Sequence, residues 1–182
     1  MASLLKMVYP PGGDPLQDLL SRSGEFRSVF QPVISLTEGK AIGFEGLLRL
    51  PADLALNNPG AAFAAATGTP WLLDLELAAL DSHLAAVDDL PEGRLFLNLT
   101  PTALLDPRFH ADEMARRIRK CRLSPEQVVI EISELENVLD PEGFATAISP
   151  LRDLHFQLAI DDFGAGFANV RLLVDLGPDV GH

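Results

Sequence analysis

From residue 94 onward the chain repeats one pattern three times. A short apolar run closes on a residue with a side-chain oxygen, and a helical pattern follows. The runs are 94–99, which contains Asn98, 128–133, which contains Glu131, and 158–161, which ends on Asp161. Apolar runs this short and this continuous suit strands that are covered on both faces. The stretches after them, 108–121, 141–154 and 167–176, carry helical periodicity. Strand alternating with helix restricts the fold to an α/β architecture with a mostly parallel sheet and right-handed crossovers.

The first half is less regular. Asp14 followed by Pro15 predicts a helix start that runs through Leu16, Leu19 and Leu20. Residues 29–35 and 41–50 read as a hairpin around the turn Thr37-Glu38-Gly39-Lys40, so the first strand is antiparallel to the second. A looser region holding Asn57-Asn58-Pro59-Gly60 leads into an alanine-rich stretch. Residues 70–87 then show helical spacing, with Leu73, Leu77, Leu80 and Leu84 on one face. We expect a leader over 1–13 and one domain over 14–182.

The polar residues at the strand ends carry the chemistry. Singly, each has an ordinary use: Asn98 caps a turn, Glu131 enters a salt bridge, Asp161 braces its loop and Glu45 sits at a sheet edge. Together, four apolar strands ending in Glu45, Asn98, Glu131 and Asp161 place oxygen donors where parallel strands converge their functional groups. Adjacent carboxylates at Asp161-Asp162 are costly to bury without a cation. No cysteine or histidine stands at ligand spacing, so the set suits a hard ion such as Mg²⁺, Mn²⁺ or Ca²⁺ and argues against zinc. Asp161 with Asp162 could serve two ions, as in two-metal phosphodiester hydrolysis. Glu45 and Arg49 share a strand face about 13 Å apart, which lets Glu45 hold metal while Arg49 meets a second phosphate.

Composition narrows the partners. A formal net charge of −12 repels nucleic acid polymers and anionic lipid. It would repel a phosphate ligand as well, unless metal ions or placed arginines reverse the field locally. No apolar run reaches the 18 residues of a membrane span, and residues 1–9 make a poor signal peptide. Cys121 is the only cysteine, which excludes an internal disulfide and fits a cytoplasmic location. His83, on a helical stretch, His110 and His155 read as packed or solvated rather than as ligands.

Five motifs occur in order with suitable gaps: Phe30-Gln31-Pro32-Val33, Glu45-Gly46-Leu47-Leu48-Arg49, Asn98-Leu99-Thr100-Pro101, Glu131-Ile132-Ser133-Glu134 and Asp161-Asp162-Phe163-Gly164-Ala165-Gly166. Together they resemble the EAL-domain family of cyclic di-GMP phosphodiesterases, over roughly residues 26–180. The naming motif departs at its second letter, where Gly46 stands in place of the usual alanine; we expect little effect on metal binding and a local loosening of the strand.

The resemblance implies an incomplete TIM-like (β/α) barrel. Glu45, Asn98, Glu131 and Asp161 would ligate a first Mg²⁺ or Mn²⁺, and Asp162 would help bind a second, with Ca²⁺ as an inhibitory ion. Gln31 and Arg49 would contact cyclic di-GMP, and Glu134 would anchor the loop after Asp162, a segment tied to dimer contacts in this family. The implied reaction is attack of a metal-activated water that opens the cyclic dinucleotide to linear pGpG. A complete barrel takes about 250 residues. Family members continue with a catalytic lysine, a further metal-binding glutamate and a glutamine, so the resemblance implies truncation after about the fifth strand and weak or no hydrolysis by this chain alone. A homodimer or other protein partner would cover the open edge. The competing expectation is a catalytically degenerate module that binds cyclic di-GMP or a protein.

Overall fold

The computed structural model describes residues 13–90, 92–132, 140–160 and 180–181. Among the described residues six strands form one sheet in sequence order: β1 (Arg27–Ile34), β2 (Ala41–Arg49), β3 (Arg94–Leu99), β4 (Val128–Ile132), β5 (Gln157–Ile160) and β6 (Val180–Gly181). β1 pairs antiparallel with β2, and every later neighbour is parallel. The hairpin turn closes through Gly39, whose φ of 64° a β-carbon would disfavour. β6 is a two-residue strand that no hydrophobic run announces.

Among the described residues six α-helices accompany the sheet: α1 (Pro15–Ser21), α2 (Pro59–Ala66), α3 (Trp71–Leu84), α4 (Pro101–Leu104), α5 (Ala111–Lys120) and α6 (Pro141–Asp153). Their starts follow local chemistry. Asp14, Asn58, Thr100 and Asp140 each accept a backbone N–H from the first turn, and each is followed by proline. α2 lies where the sequence reads as a loose stretch, because Asn58-Pro59 is a helix start rather than a turn. α5 has Asp112 and Glu113 in its first turn and Arg117, Arg119 and Lys120 in its last, the order the helix dipole favours. In α6, Pro150 cannot donate to the Thr146 carbonyl four residues back, and the Ser149 hydroxyl donates to it instead at 2.9 Å.

Both faces of the central strands are buried. On one face Leu95, Leu97, Leu99, Val128, Ile130, Ile132, Leu158 and Ile160 pack with Met114 and Ile118 of α5 and Phe144, Ile148 and Leu151 of α6. On the other, Phe96, Val129 and Ala159 form a small cluster with Val33 and Ile42. A further core joins α1, α2 and one side of α3 to Leu48 of β2. Arg117 of α5 pairs with Asp81 of α3, and Arg108 bonds Asp74 and the Pro70 carbonyl, which ties the segment before α5 to the start of α3.

β2 and β3 approach unusually closely at Gly43. A β-carbon there would overlap the Arg94 carbonyl oxygen and lie 2.6 Å from Cε2 of Phe96. Neither atom can retreat, since one is backbone and the other is fully buried. Gly43→Ala should therefore cost several kcal/mol, in the manner of overpacked cores. Gly24→Ala, where nothing lies within 4 Å, should be neutral or stabilise by about 0.4–1 kcal/mol. Urea unfolding of both variants checks the contrast, and equal effects would contradict the packing described.

Candidate metal centre

The face that carries Phe96, Val129 and Ala159 turns polar toward the carboxyl ends of the strands. Two residues beyond Phe96 comes Asn98, and two beyond Val129 comes Glu131. Strand alternation keeps each pair on one face. Asn98 and Glu131 are register partners across β3 and β4. Glu45 stands opposite Phe96 in the β2–β3 register and opposite Gln31 in the β1–β2 register. The apolar cluster is thus the floor and the polar residues the rim.

The rim is joined by a direct contact. Nδ2 of Asn98 donates to Oε1 of Glu45 at 2.7 Å. With its N–H₂ end committed to that carboxylate, the amide turns its carbonyl oxygen, a metal-donor type, elsewhere. Exposure is graded across the site: Asn98 is exposed, Glu45 half-buried and Glu131 only 5% exposed. Of the two described carboxylates of the rim, Glu131 is thus the more removed from water.

The predicted residues divide into those the structure brings together and those it leaves apart. Glu45, Asn98 and Glu131 share one sheet edge, with Gln31 facing Glu45 across the hairpin. Arg49 lies four residues beyond Glu45 on the same strand face; it is exposed, and Nη1 donates to the Leu48 carbonyl at 2.8 Å. Asp161, Asp162 and Glu134 lie outside the described residues. Among the described residues no group of three or more His, Cys, Asp or Glu side chains assembles as a metal cluster. The donors present are two carboxylates and one amide, all oxygen, and that chemistry fits a hard divalent cation.

Two residues stand behind the site: Glu76, which the sequence reading does not single out, and His83, which it reads as packed or solvated. Glu76 of α3, 4% exposed, accepts the Thr100 N–H through Oε1 at 3.1 Å and so holds the chain just after Asn98. His83 of the same helix is 6% exposed; its Nδ1 shares a 2.8 Å hydrogen bond with the Ser28 hydroxyl of β1, and its ring lies 6.4 Å from that of Phe30. Seven-residue spacing sets Glu76 and His83 on one helix face, and burial decides for a packed rather than a solvated His83. The ring also corrects one expectation. Gly46 leaves no slack in β2, because a β-carbon there would meet Cγ and Nδ1 of His83 at 3.0 Å.

Comparison with known proteins adds an independent line. The EAL domain family profile matches residues 14–180. The blue light- and temperature-regulated antirepressor BluF of Escherichia coli is 30% identical over 152 residues, covering 82% of this chain and 37% of BluF. The probable cyclic di-GMP phosphodiesterase PdeB of the same organism is 28% identical, covering 83% of this chain and 30% of PdeB. The chain therefore spans about a third of the length of these curated relatives. Among solved structures, Klebsiella pneumoniae BlrP1 in a calcium/cyclic di-GMP complex superimposes with a TM-score of 0.73 at 27% identity, covering 86% of this chain and 39% of BlrP1. A manganese/cyclic di-GMP complex of BlrP1 matches at 0.72.

Burial pushes the His83 imidazole down from its ordinary 6.5 to about 4. The unfolded chain binds a proton there below pH 6.5, and the folded chain does not until near pH 4. This contribution to stability is whole above pH 6.5 and is lost as pH falls toward 4, at about 1.4 kcal/mol per pH unit. Unfolding free energies between pH 6 and 4.5 should show that slope in the parent protein, with one proton's worth of slope missing in His83→Asn. Identical slopes would mean the imidazole is charged in the fold.

Proposed function

The chain belongs to the EAL domain family, and on that premise we propose that it carries the metal-binding rim of a cyclic di-GMP phosphodiesterase-type site. Glu45, Asn98 and Glu131 hold the first divalent cation, Mg²⁺ or Mn²⁺, with Asp161, and Asp162 contributes to a second. The observation that carries this is the 2.7 Å bond from Asn98 to Glu45 beside the buried Glu131, at the end of the sheet where α/β folds place ligands. When bound, the cations offset phosphate charge and lower the pKa of a water that can attack phosphorus.

The chain's own residues do the rest. Gln31, exposed and opposite Glu45, and Arg49, exposed on the same strand face, are available to cyclic di-GMP, with the guanidinium directed to a phosphate. Against a net charge of −12, that arginine and the cations supply the attraction a dianionic ligand requires. The Phe96 and Val129 floor keeps water from beneath Glu45 and Glu131, which strengthens their hold on a cation. Glu134 anchors the loop that follows Asp162. Hydrolysis of one phosphodiester bond gives linear pGpG.

A second reading is a module that binds cyclic di-GMP or a protein without turnover, and the antirepressor role in the name of BluF favours it. The proposal also includes a cytoplasmic setting, in keeping with the lone Cys121, and a second copy or other protein against the open edge. At the opposite end of the sheet β1 is the outer described strand, and its Val29 and Ile34 are exposed. Among the described residues no helix is long and apolar enough to cross a membrane.

Calorimetric titration separates the readings. Cyclic di-GMP should bind more tightly with Mn²⁺ or Ca²⁺ present, and Glu45→Gln should weaken that metal-supported binding by at least about tenfold. Formation of pGpG in Mn²⁺ supports the enzyme, while binding without product supports the module. No binding at millimolar divalent cation would sink the enzyme and the nucleotide-binding module, and leave only a module that binds a protein.

A further inference from the structure

The departure from the usual Glu-Ala-Leu pattern has a partner elsewhere in the chain. A methyl group on residue 46 would stand 3.0 Å from two ring atoms of His83 and 3.3 Å from a third, Cδ2. Ordinary carbon contacts settle at about 3.5–4.0 Å, so the ring fills the space an alanine would claim. It cannot simply swing away. Its Nδ1 is held by the Ser28 hydroxyl at 2.8 Å, that hydroxyl lies 3.0 Å from the Ser82 hydroxyl, and the tilted Phe30 ring packs nearby. Phe30 is itself the register partner of Gly46.

The other face of the same strand is equally closed. Three residues earlier, Gly43 presses against the Arg94 carbonyl and the Phe96 ring. Between these contacts sits Glu45, whose peptide carbonyl bonds directly to the Gly46 nitrogen. A displacement of a few tenths of an ångström at residue 46 passes straight to Glu45, which must keep its 2.7 Å bond with Asn98.

We infer that His83 is a positioning residue for Glu45. Its imidazole, braced by Ser28, sets the distance between α3 and β2 and thereby the placement of the Glu45 carboxylate, so the glycine in the motif and the buried histidine work as a matched pair. The inference concerns the position of Glu45; only its consequence for metal affinity rests on the reading proposed above.

The test uses the full chain as parent, Gly46→Ala, His83→Asn and the double variant. The side-chain amide signals of Asn98 in ¹⁵N-correlated NMR spectra report the bond to Glu45 without any metal. Mn²⁺ affinity is measured by calorimetry. Gly46→Ala should shift the Asn98 amide signals and weaken Mn²⁺ binding on the order of tenfold. Adding His83→Asn should return both toward parental values, a non-additive result expected only for coupled residues. A purely structural pair would lower Tm while leaving the Asn98 signals and Mn²⁺ affinity unchanged, and that outcome overturns the inference. If Gly46→Ala does not fold, His83→Asn alone decides, because removing the ring must move the Asn98 signals. If those signals respond while the parent binds no Mn²⁺, the positioning role stands and the metal reading falls.

Discussion

The central strands are covered on both faces, and most of the architecture follows from that. Leu97 and Ile130 face helices α5 and α6, while Phe96 and Val129 face the smaller cluster opposite. Strands buried on both sides have few places for a polar side chain except their ends. Asn98 and Glu131 stand at those ends, in register with each other. The site is where the apolar requirement of the sheet stops.

Helix α3 links the several cores. Leu72, Leu75 and Ala79 join the core shared with α1 and α2, while Leu80 and Leu84 join the one beneath the sheet. Between them the helix directs two buried polar groups at the backs of the site strands. Glu76 takes the Thr100 N–H just past β3, and His83 contacts β1 through Ser28 and β2 at Gly46. Buried polar groups need partners, and here the partners are Ser28 on the strand that carries Gln31 and Thr100 just past the strand that carries Asn98. The cost of burying these groups is thereby tied to the geometry of the rim.

Much of this was legible beforehand. The apolar runs of β3, β4 and β5, the hairpin of β1 and β2 and the helix starts at Pro15 and Pro141 follow from local chemistry, and the structure contains them, while the short α4 at Pro101 was not read. Glu45, Asn98 and Glu131 were legible as a set because each interrupts or closes an apolar strand. α2 was not, since Asn58-Pro59-Gly60 carries turn and helix-start signals at once, and capping by Asn58 decides for the helix. Nor was β6, whose two residues offer no periodicity to detect. Glu76 escaped for another reason, and His83 stood open between packed and solvated: polar residues of an amphipathic helix are not settled until the strands behind it are in place.

The sequence by itself determined the element types, the mostly parallel order and the oxygen-donor character of the strand ends, because those depend on residue types a few positions apart. The tertiary structure decided which donors meet, with Asn98 bonding Glu45 across 53 residues of chain, and how deeply each is buried. It also gave the motif's glycine its meaning. Read along the chain, Gly46 is a missing methyl; in the fold it is the space taken by a histidine 37 positions away, and only packing in three dimensions could bring the two together.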